Sequence, residues 1–206
     1  MVRRMGASGS GPDDAAFTSD YQLAQRAAAG DRRAQRQVVM QLMDRSRNLA
    51  CYIVRDAADA EDVAQHAMAE VLRAIGGYSG SGSLAKWADR IVARASWAHI
   101  KKRRKEAQVL RFGWEEAQQQ GRGPAAAAGD PLLRSRLAHH LGRIKPARRA
   151  VLVMRLVGGM SLEQIASSCE LPLNTVKDRL RVGRKELRKA ILRDPALAEL
   201  TRELLS

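Results

Sequence analysis

The chain has 206 residues and a net charge of +14, with 36 Lys/Arg against 22 Asp/Glu and a pI near 10.8. Val, Ile and aromatic residues are sparse beside Ala, Leu, Arg and Gln, which predicts an all-α fold. The charge calls for a polyanionic partner, nucleic acid or an acidic membrane surface, while no apolar run is long enough to span a bilayer.

Residues 1–18 are small, polar and Gly/Ser-rich, and read as a flexible tail; Arg3 and Arg4 lack the apolar run of a signal peptide. Ser19 or Asp20 can cap a short helix ending at Gly30. Asp31 can cap a longer one with Ala34, Val38, Leu42, Leu49 and Ile53 on its apolar stripe. Asp59 opens a third helix with Val63, Ala67, Val71 and Ile75 inward, ending at Gly76-Gly77. Residues 56–70 hold Asp56, Asp59, Glu61, Asp62 and Glu70 with no Lys or Arg. One or two acids suit a helix N-terminus; this many suit a basic protein partner better than DNA.

A glycine-rich loop, GGYSGSGS, follows over residues 76–83. A fourth helix starts near Leu84 with Trp87, Ile91, Ala95 and Ala98 on a stripe, and runs into Lys101-Lys102-Arg103-Arg104-Lys105. Five cations in succession exceed what a helix C-terminus needs and point to phosphate contact. Trp87 reads as core. Trp97 beside the basic run can pack or can stack on an unpaired base, with packing favoured. Residues 106–130 lose helical period, with breaks at Gly121, Gly123, Pro124 and Gly129, and read as a linker that is flexible from Glu115 to Asp130. The expected architecture is thus two small helical domains, 19–105 and 131–193, joined by a flexible linker. A tail over 194–206 can form one more short helix between Pro195 and Leu205.

Residues 131–193 carry 15 Lys/Arg against 4 Asp/Glu. Turns are expected at Lys145-Pro146 and Gly158-Gly159. Ser161 and Gln164 form a capping box, and Leu162, Ile165, Ala166 and Cys169 then repeat at helical spacing. Pro172 fits the first position of a second helix. Leu173, Val176, Leu180 and Leu187 form its apolar stripe, and Asn174, Lys177, Asp178, Arg181 and Lys185 its opposite face. That is the plan of a helix-turn-helix whose second helix enters the DNA major groove.

Cys51 and Cys169 match no metal or redox spacing and read as core filler in a reducing compartment. His66, His99, His139 and His140 share no ligand spacing, and the His139-His140 pair reads as a solvated face. With no phosphate-cradling glycine motif and no nucleophile–base pair, neither enzyme activity nor a cofactor or metal is expected.

The order of acidic helix, glycine loop, basic Trp helix, linker and helix-turn-helix resembles the extracytoplasmic-function (ECF) sigma factors of bacterial RNA polymerase. Asp59-Ala60-Glu61-Asp62-Val63-Ala64-Gln65 is similar to the family's DAED-x-x-Q. Gly82-Ser83-Leu84-Ala85-Lys86-Trp87 with Arg90-Ile91 is similar to GSF-x-x-W…RI. Glu163-Gln164-Ile165-Ala166 and Asn174-Thr175-Val176-Lys177-Asp178-Arg179-Leu180 are similar to EEIA…GTVKSRL. The resemblance implies that Asp59, Glu61, Asp62 and Gln65 meet the β′ clamp helices of core RNA polymerase. It implies minus-ten contacts from Tyr78, Ser79, Ser81, Ser83, Lys86, Arg90, Arg94 and Trp97. In the second domain it implies β-flap binding and major-groove reading of promoter DNA by Asn174, Lys177, Asp178, Arg181 and Val182. Ser161, Arg179, Arg184, Lys185, Lys101, Lys102, Arg103 and Arg104 would meet the DNA backbone. A cytoplasmic protein held inactive by an anti-sigma factor, often at the membrane, is the family expectation. His66, Met68, Glu70, Arg94, Glu170 and Val182 depart from the usual pattern. The competing readings are a helix-turn-helix regulator without sigma activity and a sequestering adaptor.

Overall fold

The computed structural model describes residues 12–109 and 131–197; every regular element among them is helical. Helix α1 spans Pro12–Ala28, so the tail expected over 1–18 gives way to helix from residue 12. Helix α2, Arg32–Val54, starts where expected: the Asp31 carboxylate accepts from the backbone N–H groups of Arg33 and Ala34. All five residues of its expected stripe are buried.

Helix α3, Ala57–Ala74, begins two residues before the expected Asp59, because Asp56 is the cap and accepts the Asp59 N–H at 2.8 Å. A short 3₁₀ turn over Ile75–Gly77 ends it. Helix α4, Leu84–Val109, passes through the expected linker start at 106; the rest of that linker lies outside the described residues. Its buried line differs from the expected one. Leu84, Ala88, Ile91, Val92, Ser96 and Trp97 face inward, while Trp87 and Ala95 are half-buried and Ala98 is exposed. Ser96 can be buried because its hydroxyl donates to the Val92 carbonyl within the same helix. Asp20 caps a helix, but not its own: from inside α1 its carboxylate accepts the Leu84 N–H at 2.9 Å, at the start of α4.

Helices α5 (Pro131–Gly142), α6 (Pro146–Leu156), α7 (Leu162–Cys169) and α8 (Leu173–Ile191) complete the fold. Gly158 and Gly159 make the turn out of α6: Gly159 has φ +63°, and a Cβ on Gly158 would lie 2.9 Å from the Met154 carbonyl oxygen. Residues 195–197 begin another helical turn, and the remainder of that expected helix lies outside the described residues. His140 is not on a solvated face. Its Nε2 lies 2.8 Å from Asp194 Oδ2, and Arg136 binds the other oxygen of the same carboxylate at 2.9 Å.

The buried side chains of both units form one continuous hydrophobic cluster, from Leu23 to Leu187. Helix α2 packs on α3 and α4, and α8 packs on α5, α6 and α7. Helix α6 also meets α2 and α4, and α7 meets α4. The cysteines sit as expected: Cys169 is buried, its thiol pushed up to about 12 by desolvation, and Cys51 is half-buried.

Candidate nucleic-acid interface

The start of α7 carries the expected capping box. Ser161 Oγ accepts the Gln164 N–H at 3.1 Å, and Gln164 Oε1 accepts the Ser161 N–H at 2.9 Å. Ser161 thus uses its N–H as donor and its Oγ as acceptor within the box. At its C-terminus Glu170 adopts the left-handed conformation, φ 53° and ψ 47°, and Leu171 N–H returns to the Ala166 carbonyl at 2.9 Å. Pro172 stands just before α8 with extended backbone, one position earlier than expected. Val176, Leu180, Gly183 and Leu187 are buried beneath α8.

The face opposite that stripe presents Asn174, Lys177, Asp178, Arg181, Arg184 and Lys185 to solvent. Arg181 binds Asp178 at 2.8 Å, so two residues expected to read bases already hold each other. Val182 is half-buried and lines an open groove of about 660 Å³ between α8 and the start of α6, with Lys145, Arg148 and Thr175. Arg179 departs from the exposed row. It is half-buried with its guanidinium 5.4 Å from the centre of the Trp97 ring, and desolvation lowers its pKa.

The glycine loop is ordered from below. Tyr78 is buried, its hydroxyl donates to the Gly82 carbonyl, and its ring lies 5.8 Å from that of Trp87. Gly80 and Gly82 have positive φ, and a Cβ on Gly80 would crowd Tyr21 at 3.1 Å. Ser79 and Ser81 are exposed and share a 2.8 Å hydrogen bond, while Ser83 Oγ accepts the Lys86 N–H at the start of α4. Lys86 and Arg94 are exposed and Arg90 half-buried. Trp97 is packed, as favoured: it is 7% exposed and its indole N–H donates to the Cys169 carbonyl at 2.9 Å. The basic run beyond it is partly committed. Lys101 pairs with Glu170 at 3.1 Å and Arg103 with Asp59 at 2.8 Å, while Lys102 lies 3.9 Å from Glu106; all five cations are exposed.

The acidic motif splits in two. Asp59 is turned onto α4, between Arg103 and His99, whose Nε2 is 3.1 Å away. Burial pushes its pKa up, but the hydrogen bonds from Arg103 and His99 outweigh this and leave it below the ordinary 3.8. Glu61 binds Arg47 at 2.8 Å and accepts from Gln65 at 2.8 Å; Arg47 holds its carboxyl below the usual range. Asp62 is exposed and has no ion-pair partner among the described residues.

Two family models match this chain: Sigma-70 region 2 over residues 38–106 and Sigma-70, region 4 over residues 134–187, together more than half its length. The chain belongs to the sigma-70 family. It is similar to the RNA polymerase sigma-H factor of Pseudomonas aeruginosa, with 27% identity over 87% of this chain and 96% of that one. It is also similar to the ECF RNA polymerase sigma factor SigE of Mycolicibacterium smegmatis, with 28% identity over 74% of this chain and 59% of SigE. In fold it is similar to the sigma factor RpoE in complex with the anti-sigma factor NepR from Bartonella quintana. That match has TM-score 0.57 and 19% identity, covering 77% of this chain and 97% of the other. CnrH, in complex with the cytosolic domain of CnrY, matches with TM-score 0.50 and 21% identity, covering 83% and 96%. As an ECF sigma factor, the chain acts in promoter-directed initiation by RNA polymerase.

In this sigma factor, region 2 comprises most of α2 with α3 and α4, and region 4 comprises α5 to α8. Three departures from the usual family pattern meet at one place: Glu70 on α3 lies 3.4 Å from His66 and 3.6 Å from Arg94 on α4. Two supporting residues escaped the sequence reading. Asp89, buried on α4, is gripped by Arg45 through Nε at 2.9 Å and a terminal nitrogen at 2.6 Å. Desolvation nevertheless raises its pKa. Arg149, 5% exposed on α6, donates to the Ile53, Val54, Gly142 and Ile144 carbonyls at 3.0–3.4 Å. Desolvation and the nearby Arg55 charge lower its pKa to about 10. The sequence signal for Arg149 is its position at the head of the unbroken apolar run Ala150–Met154. No helix of the described residues is long and apolar enough to cross a membrane.

Proposed function

We propose that this ECF sigma factor divides its work between three surfaces and performs no catalysis of its own. Asp62, with Glu61 and Gln65 beside it, is the acidic contact for the clamp helices of core RNA polymerase. The loop at Ser79 and Ser81, with Lys86, Arg90 and Arg94 on α4, holds the minus-ten strand. The exposed row of α8 reads the minus-thirty-five element. Arg181 is the guanine reader and Asp178 orients it, while Lys177 and Asn174 reach neighbouring bases. Lys101, Lys102, Arg104, Arg184 and Lys185 meet phosphates, which position the duplex without reading sequence. The β flap is the further polymerase contact of region 4. A cytoplasmic location and an anti-sigma partner complete the reading, supported by the solved relatives described with CnrY and NepR.

The observation that carries this reading is the separation of charge in one chain: an exposed acid on α3 with no ion-pair partner among the described residues and a solvent-facing basic row on α8. Purified protein with core polymerase is expected to initiate at specific promoters, mapped by sequencing the transcripts it produces. A chain that protects a palindrome by itself and starts no specific transcript would instead be a conventional regulator. Asp62→Lys is expected to weaken core binding about thirtyfold or more, since losing one partner of a charge pair that becomes buried at an interface costs roughly 2–5 kcal/mol. Its circular dichroism should match the parent, because Asp62 is exposed and supports no other side chain among the described residues.

A further inference from the structure

A base that has left the duplex has lost its stacked neighbours, and an exposed aromatic ring replaces them. The glycine loop presents no such ring of its own. Tyr78 is buried with its hydroxyl given to the Gly82 carbonyl, and Trp87 stands half-buried against the Tyr78 ring. Trp97 is packed and its N–H is spent on the Cys169 carbonyl; Tyr52 is buried as well. Among the described aromatic side chains Tyr21 alone is exposed, at 41%. Tyr21 belongs to α1, yet it sits on the tip of the glycine loop. A Cβ on Gly80 would lie 3.1 Å from Tyr21 Cδ2 and 3.3 Å from Cγ, so one edge of the ring rests on the backbone between Ser79 and Ser81. Glycine serves twice here: it adopts φ +78°, and it lets the ring come close. The rest of α1 holds the ring in place. Leu23, Ala24 and Ala27 seat the helix in the core. Asp20, the acid beside Tyr21, is turned onto α4 and α2, where its oxygens accept the Leu84 N–H at 2.9 Å and the Gln41 side-chain amide at 3.4 Å. That tie fixes α1 to the start of α4, where Lys86 is exposed in the first turn.

We propose that Tyr21 is a stacking residue for the melted strand: an unpaired promoter base lies on the exposed face of its ring, at the loop tip marked by Ser79 and Ser81. The inference rests on the proposed function of that loop and deepens it. Every base has a flat face, so stacking tolerates any of the four; Tyr21 adds grip, and the polar groups of the loop and of α4 are left to choose the base. A base inside the duplex is already stacked on both sides and cannot use the ring. Tyr21 therefore favours the open promoter over the closed one, as any surface that takes only an extruded base does. The ring is already held against Gly80 before DNA arrives, so little side-chain freedom is lost when a base covers it.

The test uses the full chain bound to core polymerase and a fluorescent single strand of about 20 nucleotides, longer than one single-strand binding surface needs. The strand covers the minus-ten element of a promoter mapped from the transcripts, each strand being tried in turn. Tyr21→Leu keeps an apolar side chain on Gly80 and a good helix former in α1, but no flat ring; Tyr21→Phe keeps the ring. Tyr21→Leu is expected to bind about tenfold more weakly, and Tyr21→Phe within about twofold of the parent, as the loss or retention of one stacked base requires. With 2-aminopurine replacing successive bases, one position is expected to be quenched by the parent and by Tyr21→Phe and to brighten with Tyr21→Leu. Equal binding by the parent and Tyr21→Leu, or weaker binding with no position brightened, overturns the stacking role. Lys86→Ala separates this result from the reading of the loop. Loss with Lys86→Ala and none with Tyr21→Leu overturns the role of Tyr21 alone; no loss with either overturns the loop reading as well. Weaker binding of Tyr21→Leu to core polymerase without DNA would make the ring a protein contact and overturn the proposal.

Discussion

At the scale of single residues, Glu170 and Arg149 are the two least ordinary positions. Glu170 holds a left-handed conformation that disfavours side chains by about 1–2 kcal/mol, while its pair with Lys101 is exposed and contributes at most about 1 kcal/mol. Glu170→Gly is therefore expected to raise stability by up to about 1 kcal/mol, read as a higher urea midpoint with unchanged slope. Arg149 is the opposite case. Arg149→Met would leave buried carbonyls at the end of α2 and in the α5–α6 turn without donors, at a cost of roughly 3 kcal/mol. Arg184→Met, on the exposed face of α8, should stay within about 0.5 kcal/mol. Arg149→Lys should not rescue, because a single ammonium cannot span acceptors on both regions as a planar guanidinium does.

Among the elements, capping decides where helices begin. Asp31 and Ser161 cap their own helices through contacts two or three residues away, so local spacing reveals them. Asp20 acts 64 residues away, on the first N–H of α4, and local spacing points it at the wrong helix. Asp20→Ala is expected to cost about 1 kcal/mol, as cap removal usually does. Hydrogen exchange should place the loss at the start of α4 and in the glycine loop rather than in α1. The stripe of α4 shows a similar limit. Small and half-polar residues such as Ala95, Ala98 and Ser96 fit several helical faces, and only the approach of α2, α3, α6 and α7 selects among them. Helix α8, with Leu and Val against Arg and Lys, left no such freedom.

For the molecule as a whole, acid titration has a definite sign. Asp31, Asp59, Glu61 and Asp194 all have folded pKa values held below the ordinary carboxylate range, mainly by Arg26 at Asp31, by Arg47 at Glu61 and by His140 at Asp194; at Asp59 the Arg103 and His99 bonds outweigh burial. Such groups stabilise fully above the unfolded value near 4, and that stability is lost as pH falls through the folded values. Asp89, raised by desolvation, runs the other way, and its cost at neutral pH is relieved on acidification. Urea midpoints followed from pH 6 down to about pH 3 should therefore fall, and Asp89→Asn should steepen that fall by removing the opposing group. The sequence by itself determined the helical class, the two basic and acidic faces and the helix-turn-helix, because hydrophobic period, caps and charge runs act over a few residues. It also carried the family motifs, whose order the region 2 and region 4 matches bear out. Only the tertiary structure decided which of those exposed-looking residues are already in use: Asp59 by Arg103, and Trp97 by Cys169 and Arg179. The physical reason is that an ion pair or a buried indole depends on which helices meet, and partners 44 to 82 positions apart leave no local spacing to read.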